Sequence, residues 1–346
     1  MPKIAIIGTT AWGKTLGVIL ARKGLNVGLW ARTEQEVSEL KNNTYTPASV
    51  SDFNLPSKLS INSSLEETFS KAKAVIMVVP SQSMRKNIKL IADHVNDSML
   101  IISTAKGLEI GSSKRMSQVI ADEISSSSQS NICVLSGPNL APEILDDLPA
   151  ATVVAAESDA VARKAQRLLT TPKLCVYTNT DMIGVELGGA LKNIIALGAG
   201  ITDGLGYGDN AKAALITRGL TEMTALGVAL GANPLTFSGL AGLGDLIATC
   251  ASPLSRNHYV GVELAKGRPL KGIMESMTGV AEGVSTTLVV WEIAQQMELE
   301  MPITEAIHSV IYEDADLHKA AVELMTAGVT HELSGRKWRL FSFLKR

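Results

Sequence analysis

Two lysines, an aspartate and an arginine stand in settings that could do chemistry. Lys192 lies in an apolar helical stretch, with Leu191 before it and Ile194-Ile195 after. Partial burial disfavours an ammonium and lowers its pKa toward a range useful for moving protons, so Lys192 suits a general acid. A lysine snorkelling out of a buried helix would give the same local pattern. Lys106 opens the run Lys106-Gly107-Leu108-Glu109 at the carboxyl end of a strand-like segment. From there a cation would reach into a crevice, where it could hold a substrate. Asp245 follows Gly242-Leu243-Gly244, a flexible approach from which a carboxylate can orient Lys192 or a substrate hydroxyl; an aspartate there also reads as a helix cap. Ser255-Arg256-Asn257 sets a hydroxyl, a guanidinium fork and an amide just before a helical segment. Fork geometry and a helix N-terminus both favour phosphate. A capping turn explains the serine and asparagine but leaves Arg256 idle. The five histidines show no ligand spacing, so metal-free chemistry is expected.

A second group sits near the start. Gly8-Thr9-Thr10-Ala11-Trp12-Gly13 joins a strand-like run to a helical one, the place of a dinucleotide fingerprint. Gly8 makes the tight turn, Gly13 lets helix and strand pack, and the helix N-terminus (Ala11, Trp12) faces a pyrophosphate. Thr10 stands where the middle glycine belongs and puts a Cβ at the closest approach to phosphate; an ordinary βα turn is the competing reading. The second strand ends Trp30-Ala31-Arg32, without the usual acidic cap. A carboxylate would bind a ribose diol, whereas Arg32 suits a 2′-phosphate, so NADPH is preferred over NADH, unless Arg32 is a solvated helix-start residue.

These residues need a scaffold, and the first half supplies an alternation of short apolar runs with longer periodic segments, the signature of a parallel sheet. Strands are expected at Lys3–Ile7, Asn26–Trp30, Ala74–Val79, Met99–Ser103, Ile132–Leu135 and Ala151–Ala155, with helices at Gly13–Lys23, Gln82–His94 and Ser112–Ser125. Several strands run into turns at Gly8, Pro80, Thr104–Gly107 and Gly137-Pro138, loops that should line one crevice. Ser125–Ser130 reads as a solvated loop. After about residue 180 the strand pattern stops, and helices are expected at Asp181–Gly204, Ala211–Leu230, Val260–Ala265, Gly283–Met297 and Thr304–Ile311. The fold class is therefore α/β plus all-α. A dinucleotide-binding domain spans 1–180, a helical substrate and catalytic domain 181–330, and a basic-aromatic tail 331–346.

Bulk properties agree. A length of 346 residues suits two domains. A net charge of -2 advertises no nucleic acid. Three scattered cysteines without metal spacing fit reduced thiols in a cytosol. Met1 leads straight into a strand, leaving no targeting segment, and no run is read as a membrane span. A soluble cytoplasmic protein is expected.

Five motifs in order, Lys106–Glu109, Ser136-Gly137-Pro138, Gly184–Ala196, Gly239–Leu246 and Ser255–Asn257, resemble the NAD(P)-dependent glycerol-3-phosphate dehydrogenase family, and the resemblance runs from about Lys3 to Leu324. It implies a Rossmann domain followed by a helical one, with the active site between them and dihydroxyacetone phosphate and sn-glycerol 3-phosphate as the pair interconverted. It places the proton acceptor of the oxidative direction on Lys192. The substrate side falls on Lys106, Gly137, Asn139, Lys192, Asn193, Asp245, Ser255, Arg256 and Asn257. The cofactor side falls on Gly8, Thr10, Ala11, Trp12, Gly13, Arg32, Lys106, Ala141, Arg256, Val280 and Glu282. Two positions depart from the family: Thr10 replaces a glycine, and Asn139 a hydroxyl residue. The implied role is to supply glycerol phosphate for phospholipid synthesis, and a homodimer is expected.

Two other readings compete. Another two-domain reductase, of the β-hydroxyacid or 6-phosphogluconate dehydrogenase type, also uses a helical-domain lysine, but the Gly-Leu-Gly-Asp and Ser-Arg-Asn pair favours the triose phosphate. A catalytically silent dinucleotide sensor would fit the altered fingerprint but need not keep Lys106, Lys192, Asp245 and Arg256. The tail carries five Lys/Arg against one Glu, net +4, interleaved with Trp338, Leu340, Phe341, Phe343 and Leu344. It either packs on the helical domain or a partner subunit, or makes weak contact with anionic membrane.

Overall fold

The computed structural model describes residues 3–42 and 55–326; the tail 331–346 lies outside them. Eight strands form one sheet: β1 (Lys3–Ile7), β2 (Asn26–Trp30), β3 (Leu59–Asn62), β4 (Ala72–Met77), β5 (Leu100–Ser103), β6 (Ile132–Ser136), β7 (Ala150–Ala155) and β8 (Leu174–Asn179), in the order β3-β2-β1-β4-β5-β6-β7-β8. All neighbours are parallel except β6 and β7, which run antiparallel. The central strands are buried on both faces and read as near-continuous apolar runs, hence their legibility. The unforeseen strands are the two edges. In β3 Leu59 and Ile61 are buried but Ser60 between them is exposed, and in β8 Cys175 and Tyr177 face out, so neither forms an apolar run.

Helix starts moved for local reasons. The expected helix at Ser112 begins only at Met116, because Gly111 and Ser113 adopt positive φ (83° and 55°) in a tight turn closed by Glu109 N–H on Lys114 O. The expected helix at Val260 reaches back to Arg256 because Ser255 Oγ accepts His258 N–H as an N-cap. Segment 81–94 is a helix Met84–Ile91 with a 3₁₀ turn at each end, and Ser126–Asn131 is a 3₁₀ turn.

One helix, Met182–Gly204, organises the second half. Asp181 caps it by accepting Gly184 N–H at 2.9 Å. It is long and apolar enough to cross a bilayer, yet 94% of its apolar window is buried within the protein. It is a core helix. The helix Arg256–Ala265 crosses it with backbones in contact: a Cβ on Gly200 would lie 2.0 Å from His258 O, and one on Gly261 would lie 2.1 Å from Leu197 O. Any larger residue at either position forces the pair apart. The same helix clasps the sheet domain through Glu186, which is buried and accepts from Ser117 N–H (2.7 Å), Ser117 Oγ (2.6 Å) and Arg115. A buried carboxylate with that many donors is satisfied rather than stranded.

Candidate active site

At the carboxyl end of β1 the chain turns at Gly8, whose φ is 119° and where a Cβ would meet Val78 O at 2.3 Å. Gly13 lies under it, with no room for a side chain beside Gly8 O. Thr10 is the N-cap of the helix Ala11–Arg22: its hydroxyl accepts Gly13 N–H at 3.1 Å and donates to Val78 O at 3.2 Å. The threonine therefore ties the loop down. It also uses one first-turn N–H, leaving Ala11 and half-buried Trp12 at the helix head to meet an anion. The residues Gly8–Thr15 also spell a P-loop, but Thr15, the position that would hold magnesium there, is wholly buried with its hydroxyl 3.4 Å from Ala141 O.

The end of β2 holds a residue that reading along the strand missed. Arg32 is exposed, but Glu36, in the next helix, accepts Arg32 N–H at 2.8 Å and the Thr9 hydroxyl at 2.5 Å. A carboxylate does stand at this strand end, delivered from four residues downstream.

Across the seam between the two halves, Asp245 bridges two ammonium groups. Its Oδ2 accepts from Lys106 Nζ at 2.6 Å and its Oδ1 from Lys192 Nζ at 2.8 Å. Lys192 also donates to Thr249 Oγ1 at 2.5 Å, and that hydroxyl lies 3.2 Å from Asp245 Oδ1. A five-residue π-helical turn, Leu240–Gly244, swings Asp245 into place at the start of the helix Asp245–Ala251. Asp245 is 2% exposed and Lys192 6%. Burial works against the Asp245 carboxylate, yet the ammonium groups of Lys106 and Lys192 outweigh it and hold its pKa below the usual range. Burial brings the Lys106 pKa down to about 8, against the pull of Asp245 and with the push of Lys192. Thr249 was not foreseen, although its spacing from Asp245, one turn along a helix, is a readable signal.

The other residues expected on the substrate and cofactor sides are held in different ways. Lys106 Nζ also donates to Gly137 O at 2.9 Å. Asn139 donates through Nδ2 to Thr152 Oγ1 at 3.2 Å, and its Oδ1 is buried with no partner among the described residues. Asn193 Nδ2 donates to Lys106 O at 3.2 Å, and Asn257 joins Asn193 to Gly283. Ser255 Oγ accepts His258 N–H at 3.2 Å as the helix cap. Arg256 is exposed and folds over Gly279, where a Cβ would meet its Nη1 at 2.5 Å. Val280 is 39% exposed. Glu282 accepts from Ser81 N–H at 2.8 Å and from the Ser81 hydroxyl, so it fastens the helical half to the loop after β4. Burial raises its pKa against those hydrogen bonds. No set of three metal-ligating side chains forms among the described residues.

Comparison with known proteins settles the lineage. The model of the NAD-dependent glycerol-3-phosphate dehydrogenase N-terminus matches residues 3–162, and that of the C-terminus matches 181–322. The chain belongs to this family. A Dehalococcoides mccartyi protein named glycerol-3-phosphate dehydrogenase (NAD(P)+) is 62% identical, covering 100% of this chain and 97% of its own length. A Geobacter metallireducens protein of the same name is 44% identical over 94% and 97%. The crystal structure of glycerol-3-phosphate dehydrogenase from Coxiella burnetii superposes with a TM-score of 0.87 at 36% identity, over 94% of this chain and 99% of that one. The segment between the two glycerol-3-phosphate dehydrogenase family matches contains β8, the edge strand whose sequence was hardest to read. Neither the other reductase types nor a silent sensor is favoured by these matches.

Proposed function

We propose that this chain reduces dihydroxyacetone phosphate to sn-glycerol 3-phosphate, reversibly, with Lys192 as proton donor. The observation that carries the reading is the pair of ammonium groups sharing the buried Asp245 carboxylate. The loop at Gly8–Gly13 and the helix head at Ala11 and Trp12 would hold the cofactor pyrophosphate, with Ala141, Val280, Glu282 and Arg256 around it. The nicotinamide, when bound, supplies the hydride to C2 of the ketone. As electrons shift onto the carbonyl oxygen, Lys106 stabilises the charge as a fixed cation and Lys192 delivers a proton from Nζ, completing the alcohol. Lys192 is left as an amine, still held by Thr249, and regains its proton from water. Asp245 keeps both lysines aimed, and Arg256, exposed at a helix start, grips the phosphate.

The finer reading includes preference for NADPH through Arg32, a cytoplasmic homodimer, metal-free chemistry, and a place ahead of phospholipid synthesis, with the tail making weak contact with anionic membrane. Oxidation of NADPH and NADH, followed at the nicotinamide absorbance band with dihydroxyacetone phosphate added, tests the core claim. No turnover with either cofactor overturns it. Sedimentation tests the dimer, and liposome flotation with and without residues 331–346 tests the tail.

A further inference from the structure

One glutamine holds the backbone on either side of Glu109 as a neighbouring strand would. Gln82 lies in the 3₁₀ turn Ser81–Ser83 beyond β4, and its side chain reaches across to the segment that follows Lys106. Ile110 N–H, which can only donate, meets Gln82 Oε1 at 3.1 Å. That settles which way the amide faces, so Nε2 donates to Leu108 O at 2.7 Å and to Ser81 Oγ at 3.1 Å. Both Nε2 hydrogens are thereby used inside the protein, and the Ser81 hydroxyl passes its own hydrogen to Glu282. The carbonyl of one residue and the N–H two residues on are the pair that a parallel strand engages, so the amide stands in for a peptide unit. The Glu109 side chain is held from the same helical segment one turn on, where Arg85 forks onto it at 2.8 and 2.7 Å.

We propose that Gln82 is a positioning residue for Lys106. The proposal rests on the reading of Lys106 as the cation that holds the carbonyl. Lys106 stands on a strap between two anchors. At one end Thr104 N–H donates to Met77 O at 3.1 Å, and at the other Gln82 grips Leu108 and Ile110. Between Lys106 and the second anchor lies only Gly107, whose backbone freedom cannot hold the lysine in place unaided. No side chain fits at Gly107, since a Cβ there would lie 2.5 Å from Ser81 Oγ. The Leu108 side chain is 1% exposed and packs in the core of the helical half with Leu187, Leu191 and Ile194. Its carbonyl is bonded to the sheet half through Gln82. The strap is thus registered against both halves at one residue, two positions from Lys106. A cation that meets the ketone between a cofactor seated on the sheet half and Lys192 on the helical half needs that double reference.

The test uses the full-length enzyme. Gln82→Met keeps the length and the apolar stem, removes all three hydrogen bonds, and spares the core because Gln82 is exposed. It should lower kcat/KM for dihydroxyacetone phosphate about five- to fiftyfold, the cost of a misplaced catalytic group, while cofactor affinity in a fluorescence titration stays within about twofold of wild type. The decisive comparison is a double-mutant cycle. Added to Lys106→Ala, assayed at high enzyme concentration, Gln82→Met should cost nothing further, since the glutamine acts only through the lysine. The alkaline limb expected at about pH 8 should also move upward in Gln82→Met, as a loosened Lys106 regains water; a loss of folded protein would leave that limb in place. If Gln82→Met is too unstable to purify, Gln82→Glu, which keeps the bond to Ile110 but cannot donate to Leu108, gives the same readouts. Undiminished kcat/KM, losses that multiply in the double variant, a marked fall in cofactor affinity, or an unmoved alkaline limb overturns the proposal. Wild-type turnover and the pH profile of Lys106→Arg are measured alongside, so failure of the Lys106 reading shows up separately.

Discussion

The carboxylate of Glu36 reaches back to accept the backbone N–H of Arg32 at 2.8 Å, so the end of the second strand carries an acid as well as an arginine. The two make opposite demands on a cofactor ribose. Arg32 would attract a 2′-phosphate, and Glu36 would repel it while suiting a diol. A charge-assisted pair is worth ~1.5–3 kcal/mol when shielded, and much less at an exposed residue such as Arg32. Glu36→Gln should therefore raise the NADPH over NADH ratio of kcat/KM by about tenfold, and Arg32→Asp should invert it, with both effects shrinking in high salt. A ratio indifferent to both substitutions would remove these residues from cofactor choice.

Lys192→Ala should abolish turnover while leaving cofactor affinity near wild type. Loss of a positioned proton donor costs about 10²–10⁴-fold in rate. Stopped-flow turnover together with a cofactor fluorescence titration reads both quantities, and activity within a few-fold of wild type would falsify the assignment.

The Lys106 pKa predicts a pH limb. Its proton leaves at about 8 in the folded protein against 10.5 for a free lysine. The cation proposed to grip the carbonyl is therefore present below about pH 8 and lost above it. Values of kcat/KM for dihydroxyacetone phosphate should fall with a slope near one above that pH, and Lys106→Arg should erase the limb at a reduced rate. The sign for stability is the reverse of an ion pair's. Between pH 8 and 10.5 the unfolded chain binds the extra proton, so this group's contribution to stability improves as pH rises through that window. A flat profile from pH 7 to 10 in the wild type rules out Lys106 as the titrating group.

Arg256 makes a prediction about phosphate. A guanidinium can fork onto two phosphate oxygens and an ammonium cannot, so Arg256→Lys should raise KM for dihydroxyacetone phosphate about tenfold or more. Dihydroxyacetone itself should be a very poor substrate of the wild type. Similar specificity constants for the two ketones would place the phosphate elsewhere.

Legibility followed burial. The central strands and the helix Met182–Gly204 were readable because burial on all sides writes an unbroken apolar signal; β3 and β8, covered on one side, wrote none. Lys106, Lys192 and Asp245 were found by type and setting, whereas their convergence on one carboxylate is a fact of the fold. Glu36 is not legible from the strand itself, because the first turn of the next helix supplies it from beyond the strand end. Ser255 and Asn257 read as substrate chemistry in the sequence, and the fold gives each an internal bond as well: Ser255 caps a helix and Asn257 joins Asn193 to Gly283. Pattern alone does not distinguish a polar group offered outward from one spent inside.

The reversal of β7 against β6 has a consequence for which parts of the gene can tolerate length changes. Because β8 follows β7 in the reversed direction, it ends away from the crevice formed by β1, β4, β5 and β6. The chain must come back, and the helix from Met182 brings it, with Lys192 part-way along. At about 1.5 Å and 100° per residue, one residue inserted between Asp181 and Lys192 would advance the lysine slightly and swing it off Asp245 altogether. That stretch acts as a ruler with a phase. The turns around it can drift in length, while the count between the cap at Asp181 and the lysine is held fixed by geometry.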